Sequence, residues 1–139
     1  MELHFRPALT TDLPLIYNSW LKEYYYSTKY ITATLFNKEY HKVIEYILSY
    51  SSVMILCNKD EIDHIIGYIV YTNDVIHWIY IKSSFRLMGL GRKLLQRIKQ
   101  NNDEVICTHY GHIFKDKRIV EKYKLIYNPF SLYKSKGQQ

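Results

Sequence analysis

The amino-acid sequence predicts a mixed α/β domain, and two kinds of apolar pattern carry that prediction. Some runs are β-branched and aromatic, as in strands, and others repeat apolar residues every three or four positions, as on one helix face. In chain order these patterns give strand, helix, helix, three strands, helix, strand, helix and strand. Interleaving of this kind is typical of helices packed against a sheet.

Length and composition favour one folded domain. The chain has 139 residues, of which 47% are hydrophobic and 16% aromatic, with 15 tyrosines. A disordered chain would be polar and poor in aromatic residues, and two ordinary domains would need a longer chain. We therefore expect a single domain over residues 1–133, followed by a frayed polar tail at 134–139.

Charge and cysteine content indicate the cellular compartment of the protein and the class of its partner. The start MELHFRP carries charges where a secretory signal needs apolar residues, and no apolar run approaches the length of a membrane span. The two cysteines, Cys57 and Cys107, form no C-x-x-C pair, so we expect free buried thiols and a cytoplasmic protein. The formal charge of +6 suits a nucleic acid, a nucleotide cofactor or an acidic protein.

The N-terminal part predicts one strand and two helices. Residues 3–8 have a strand pattern, and Thr10 or Thr11 is expected to cap a helix with Pro14 in its first turn. The first helix has an apolar face made of Leu13, Ile16, Tyr17, Trp20, Leu21 and Tyr24. The second has one made of Tyr40, Val43, Ile44, Ile47 and Leu48.

Three strand patterns follow at residues 52–57, 64–71 and 75–82, the last two joined by a turn at 72–74. The third run is apolar on both alternating faces: Val75, Ile79 and Ile81 against Ile76, Trp78 and Tyr80. Such a strand is covered on both sides, so we expect it in the middle of the sheet with an antiparallel neighbour.

The C-terminal part predicts a helix, a strand, a helix and an extended end. The first helix is marked by Leu90, Leu94, Leu95 and Ile98 and is expected to end near Asn101 and Asn102. Residues 104–110 predict a strand and 115–124 a basic helix. Residues 126–133 predict an extended segment that is kinked at Pro129.

A glycine-containing loop connects the third strand to its helix in the stretch SSFRLMGLGRKLLQ, residues 83–96. Gly89 and Gly91 allow the backbone to approach an anion, and the start of a helix presents free N–H groups at its positive end. A Walker loop is excluded because no Lys-Ser or Lys-Thr pair follows the glycines, and the dinucleotide fingerprint needs a third glycine. The loop is therefore either a different phosphate site or an ordinary turn.

The stretch HWIYIKSSFRLMGLGRKLL resembles motif A of the GNAT superfamily of acetyl-CoA-dependent N-acetyltransferases, and FRPALTTDLPLIYNSW resembles the first strand and helix of that family. The chain is also similar to small GNAT-like proteins of bacteriophages. The resemblance implies a three-layer domain with a mostly antiparallel sheet, splayed beside residues 75–82, and helices on both faces.

The resemblance also implies acetyl-CoA as the acetyl donor, with no metal. Backbone groups of Ile79 and Ile81 would pair with the pantetheine arm, Arg86 would fix the loop, and amides of the loop would surround the pyrophosphate. The implied cofactor-binding residues are Ile79, Ile81, Arg86, Leu87, Met88, Gly89, Leu90, Gly91 and Arg92.

For catalysis, the resemblance implies a base on the central strand and a tyrosine acid in the last helix. His77 is the expected base, with Asp74 and Glu45 as alternatives, and a core histidine is the structural alternative. The family commonly has Y-E-K-L-G-F where this chain has KYKLIY, so Lys122 occupies the usual tyrosine position. The acid is then Tyr123 after a small shift in register, or water, or the reaction is impaired.

Two further patterns have a structural and a functional interpretation. Cys107, His109 and His112 lie close in sequence but lack a fourth zinc ligand, and strand alternation would place the first two on one face. A segment that either contacts the acceptor or packs on the core as a lid contains Tyr24, Tyr25, Tyr26, Tyr30 and Phe36.

The resemblance implies an N-acetyltransferase that moves acetyl from acetyl-CoA to a primary amine on a small molecule or a protein. No membrane partner is expected, and the protein would be a monomer or a homodimer. The alternative is a catalytically weak or inactive GNAT-fold protein that binds CoA, a host protein or nucleic acid. That alternative rests on the missing tyrosine and on the basic residues Lys115, Lys117, Arg118, Lys122 and Lys124.

Overall fold

The element order of the computed structural model is the predicted one. The model describes residues 1–28, 30–73, 75–98 and 104–132. The N-terminal elements are β1 (Leu3–Pro7), α1 (Leu13–Tyr25) and α2 (Ala33–Tyr50), and three strands follow as β2 (Ser52–Asn58), β3 (Glu61–Thr72) and β4 (Val75–Ile81). The C-terminal elements are α3 (Leu90–Ile98), β5 (Val105–Cys107), α4 (Lys117–Tyr123) and β6 (Leu125–Tyr127). Within these residues, no helix combines the length and apolar character of a membrane span.

The described strands form one sheet in the order β1-β2-β3-β4-β5-β6. Neighbours from β1 to β4 pair antiparallel, whereas β4–β5 and β5–β6 pair parallel. The predictions of a mostly antiparallel sheet and of a central third strand are confirmed.

Apolar clusters cover both faces of the sheet. On one face, α3 and α4 pack against the sheet through residues that include Leu94, Leu95 and Ile119. On the other, α1 and α2 pack through residues that include Ile16, Trp20 and Ile44. Cys57 belongs to the second cluster and Cys107 to the first, and both are buried free thiols. The predicted three-layer arrangement is therefore present.

The predicted alternation of side chains along β4 was wrong, because the strand contains a β-bulge. Trp78 pairs with Val70 and Ile76 with Tyr71, so the pairing with β3 leaves His77 opposite no single residue. As a result Ile76 shares the α3/α4 face with Ile79, although strict alternation had placed them on opposite faces. Trp78 and Tyr80 lie on the α1/α2 face.

Several predicted boundaries were wrong. Helix α2 begins at Ala33 with Thr32 as its cap, so Phe36 lies in a helix and not in a connection. Strand β5 ends at Cys107 and β6 at Tyr127, after which the chain turns. In that turn the Phe130 N–H donates to Asn128 Oδ1 over 3.1 Å. The predicted helix end near 101–102 and the tail at 134–139 lie outside the described residues.

A buried ion pair fixes the entry to α1. Neither threonine caps this helix; instead the Asp12 carboxylate accepts from the Leu9 N–H over 2.7 Å. Arg6 donates to both Asp12 oxygens, over 2.7 and 3.0 Å, and to the Ile62 carbonyl over 3.0 Å. These bonds connect β1, the start of α1 and β3, and the hydrogen bonds from Arg6 lower the pKa of Asp12.

We predict that Asp12→Asn lowers the free energy of unfolding by about 3 kcal/mol, because it leaves the Arg6 charge buried without its partner. The native carboxylate contributes stability above about pH 4, and that contribution is lost as the pH falls further, so the variant should lack this acid-dependent part. Urea denaturation at several pH values measures both effects.

Glu39→Gln is the matched control, because Glu39 forms an exposed ion pair with Lys42. Its effect should stay within about 0.5 kcal/mol. Equal stability losses in the two variants would contradict the structural importance of the buried pair.

Candidate active site

The parallel strands β4 and β5 separate soon after they begin to pair. Their pairing consists of Val75 with Ile106 and Ile76 with Cys107, and the Thr108 N–H adds a bond of 2.9 Å to the Ile76 carbonyl. In the described residues, β4 then continues to Ile81 with no strand on this side. The gap is the splay that the sequence predicted beside this strand.

A cavity of about 660 Å³ opens beside this gap, on the α3/α4 face. Its walls come from the end of β4, the loop into α3, and the segment from His112 to Ile119. The lining residues are Ile79, Ile81, Phe85, Arg86, Leu87, Gly89, Leu90, Gly91, Arg92, His112, Ile113, Lys115, Asp116, Lys117, Arg118 and Ile119.

The loop into α3 is held to the sheet by Arg86. Its Nε donates to the Ile81 carbonyl over 2.8 Å, and its Nη2 pairs with Glu23 at the end of α1. Leu87 and Gly89 have positive φ angles of 65° and 75°. Because an added Cβ at Gly89 would meet no atom within 4 Å, glycine is favoured there by its backbone angle and not by crowding.

The cavity is strongly basic. Arg86, Arg92, Lys115, Lys117 and Arg118 line it, and the Arg92 Nε is buried with no hydrogen-bond partner among the described residues. One carboxylate in the lining, that of Asp116, already accepts from the backbone N–H groups of Arg118 and Ile119, over 3.0 and 3.3 Å. Burial, and then the charge of Arg86, lower the pKa of His112. An anionic ligand suits this cavity.

The comparison with protein families agrees with this geometry. The model of the acetyltransferase (GNAT) family matches residues 13–112, which extend from the start of α1 to the cavity-lining His112. The chain belongs to the GNAT acetyltransferase family. No curated protein sequence gave a significant match.

Two solved structures illustrate the shared fold of this GNAT protein. It is 15% identical to apo-form YjaB from Escherichia coli, with a TM-score of 0.54, and the match covers 70% of this chain and 65% of YjaB. It is 13% identical to AAC(6')-Iy in complex with a bisubstrate analog, CoA-S-monomethyl-acetylneamine, with a TM-score of 0.53. That match covers 91% of this chain and 92% of AAC(6')-Iy. At these identities the likeness shows the fold alone.

The structure brings together most of the predicted cofactor-binding residues of the GNAT motif. Ile79, Ile81 and the predicted loop residues line the cavity, with the exception of Met88. The Met88 side chain is 63% exposed and is not part of the lining. Contact of the predicted cofactor-binding residues with a cofactor stays a prediction.

The predicted base, His77, lies outside this cavity lining. Its side chain is 1% exposed, and its ring nitrogens lie 3.1 Å from Thr72 Oγ1 and 3.0 Å from Thr108 Oγ1. Burial lowers the pKa of His77 to about 4, so the ring is neutral at physiological pH. These partners are side-chain hydroxyls, whereas a core histidine was expected to bond to the backbone. The catalytic role of His77 stays a prediction.

Tyr123 and Glu45 are also outside the cavity lining. Tyr123 is buried in the apolar cluster between the sheet, α3 and α4, and the neighbouring Lys122 is exposed. Glu45 is exposed on α2. Asp74 lies outside the described residues. The role of Tyr123 as an acid stays a prediction.

The sequence pattern suggested only zinc binding as a function for His109, together with Cys107 and His112. The structure separates His109 from these two residues. Cys107 packs on the α3/α4 side, His112 lines the cavity, and His109 lies on the α1/α2 side among the rings of Trp20, Tyr24 and Trp78. The expected shared face of Cys107 and His109 was wrong because β5 ends at Cys107. In the described ranges no three His, Cys, Asp or Glu side chains form a group suited to a metal ion.

We predict that stability falls as the pH is lowered from about 6.5 to about 4. Burial lowers the pKa of His77 to about 4 and that of His109 to about 3, so the folded protein excludes protons that the unfolded chain binds below about pH 6.5. Guanidinium denaturation between about pH 7.5 and 4.5 tests this. A stability that stays constant over that range would show that both imidazoles bind protons in the folded protein.

Proposed function

We propose that this GNAT protein transfers the acetyl group of acetyl-CoA to a primary amine. The basic cavity at the gap between β4 and β5 is the observation that carries the proposal, since it joins a strand edge without a strand partner in the described residues to the start of a helix. Family membership supplies the reaction class, acetyl transfer.

The residues of the cavity fit coenzyme A. The first N–H groups of α3, after Gly89, have no partners within the helix and suit the pyrophosphate. The buried Arg92 Nε, which lacks a protein partner among the described residues, suits a phosphate oxygen. Backbone groups of Ile79 and Ile81 on the strand edge suit the amides of the pantetheine arm. Acetyl-CoA would supply the activated thioester.

A solved structure of the same fold supports this choice. AAC(6')-Iy has been solved with a bisubstrate analog that contains CoA. We infer a similar cofactor site here, and we leave the acceptor as a primary amine, because the cavity-lining residues describe the donor side.

The protein residues have separate tasks in this proposal. Arg86 holds the loop in its binding conformation through Ile81 and Glu23. The basic side chains around the cavity compensate the phosphate charges. The strand edge aligns the acetyl group with the gap. The amine must lose a proton before it attacks, and the thiolate must gain one as it leaves. His77 and Tyr123 are the groups proposed from the sequence for these two proton transfers.

We predict that Gly89→Asp weakens acetyl-CoA binding at least tenfold, because it places a carboxylate in the loop that would hold the pyrophosphate. Gly89→Asn is the matched control, since it has nearly the same size and a similar tolerance of positive φ but no charge. Isothermal titration calorimetry measures both. Equal binding by wild type, Asn and Asp proteins would contradict the cofactor assignment.

We predict that the protein acetylates at least one primary amine when it is incubated with acetyl-CoA. A suitable panel contains tyramine, spermidine, glucosamine, lysine and a peptide with a free N-terminus. Thiol release gives the rate, and mass spectrometry identifies the acetylated product.

The same experiment separates enzyme from binding protein. Gly89→Asp should lose product formation together with cofactor binding. Tight binding of acetyl-CoA without any acetylated product across the panel would favour the second function, a GNAT-fold protein that binds CoA. The positions of His77 and Tyr123 outside the cavity lining are the observation that favours this second function.

A further inference from the structure

A continuous line of side-chain hydrogen bonds runs between α2 and the sheet, beside the gap between β4 and β5. It begins at the Tyr40 hydroxyl, which contacts His109 Nε2. His109 Nδ1 lies 2.9 Å from Thr108 Oγ1, which lies 3.0 Å from His77 Nδ1. His77 of β4 and His109, which follows β5, are therefore joined by one hydroxyl.

The line continues to the C-terminal end of α2, where Ser51 is the C-cap. His77 Nε2 lies 3.1 Å from Thr72 Oγ1, which lies 3.2 Å from Ser51 Oγ. The members in the middle, His77, Thr108 and His109, are buried. Tyr40 at one end and Ser51 at the other are half-buried. A buried polar path thus connects two ends that are both closer to solvent.

The single hydrogen of the Thr108 hydroxyl means that all hydrogen bonds along this path are donated in the same direction. This hydroxyl lies between two imidazole Nδ1 atoms, so along the path it donates to one ring and accepts from the other. Each neutral imidazole carries one N–H. It follows that one histidine has its proton on Nδ1 and the other on Nε2, and that reversing the path exchanges both.

The Tyr40 end lies beside the candidate active site. His109 follows Cys107, the last paired residue of β5, by two positions and so lies where the strands separate. The Tyr24 hydroxyl interacts with those of Tyr40 and Tyr127, and Tyr127 is 43% exposed. Glu23, the neighbour of Tyr24, pairs with the cavity-lining Arg86.

We propose that this line is a proton relay for acetyl transfer, in which Tyr40 is the catalytic residue and His109, Thr108 and His77 are positioning residues. The proposal rests on the proposed acetyltransferase function and replaces the separate base and acid expected from the sequence with a single group. In it the Tyr40 hydroxyl contacts the acceptor amine.

The proton balance of the relay closes over one reaction. The ammonium gives a proton to the Tyr40 oxygen as Tyr40 gives its own to His109 Nε2, and the shift continues through Thr108, His77 and Thr72 to Ser51 and water. The amine nitrogen then forms the C–N bond, and the C–S bond breaks. The thiolate takes a proton from Tyr40 as the line shifts back, so that His109 Nε2 returns a proton to the Tyr40 oxygen and Ser51 regains one from water. The relay is then in its first state, and the second amine proton passes to water.

Burial explains why a relay suits these histidines better than single-site proton transfer. Burial lowers the pKa of His77 to about 4 and that of His109 to about 3, so an imidazolium is strongly disfavoured at either position. In the relay each ring gains a proton on one nitrogen as it loses one from the other. Neither ring becomes charged.

The kinetic test compares two substitutions of Thr108, with acetyl-CoA and the panel amine that gives the highest kcat/KM. Thr108→Val removes the joining hydroxyl and should lower kcat at least tenfold while KM for acetyl-CoA changes less than twofold. Thr108→Ser restores the hydroxyl and should recover most of the lost rate. Tyr68→Phe is the control, because it removes a buried hydroxyl that bonds Ser19 and the Ile16 carbonyl, outside the relay.

A second measurement uses the protein alone. Long-range ¹H–¹⁵N spectra should show His77 and His109 neutral at pH 7 and in opposite tautomers. The same tautomer in both rings would overturn the relay and leave acetyl transfer standing, as would a Thr108→Val protein with wild-type kcat. Absence of acetylated product from the wild type with every panel amine would overturn the acetyltransferase function and, with it, the catalytic role of the relay.

Discussion

The early separation of β4 from β5 is the constraint on which the site depends. Parallel strands satisfy each other's backbone groups only where they pair, and here that pairing ends after Ile76 and Cys107. The rest of β4 keeps a row of N–H and C=O groups that do not pair with β5. Burying such groups without hydrogen bonds would cost free energy. The gap therefore creates both the space for a ligand and a polar edge that a ligand with amide groups can satisfy. Helix α3 begins close to the same gap, which adds free N–H groups to that edge.

The polar groups of the protein are divided between two environments around this gap. On the α3/α4 side, arginine and lysine side chains give the cavity a positive potential, and a large part of the favourable energy of an anion there would be electrostatic. On the α1/α2 side, burial keeps the imidazoles of His77 and His109 neutral and surrounds His109 with aromatic rings. The sheet thus separates a charged compartment from a neutral hydrogen-bonded one.

The order of elements and the loop into α3 were predictable from the sequence, and the placement of the catalytic candidates was not. Apolar periodicity reports which residues face a core, so the helices through Ile16, Ile44 and Leu94 were found. Periodicity cannot reveal a β-bulge, because an extra residue in β4 moves His77 and Ile76 without changing the composition of the strand. It also cannot reveal that the start of α1 is fixed by the ion pair of Asp12, since its partner, Arg6, belongs to β1. Long-range side-chain contacts such as that between Tyr40 and His109 leave no local signal.

Both cysteines lie inside apolar clusters, and this burial has a practical consequence for work on the protein. Burial raises the pKa of the Cys107 thiol to about 12, so very little of it is present as the reactive thiolate near neutral pH. Cys57 is fully buried on the other face of the sheet. A thiol-specific colorimetric reagent added to the folded protein should therefore react slowly with the chain itself. In an assay of the proposed reaction, rapid colour would then measure the thiol that the reaction releases, and a slow background would report unfolding.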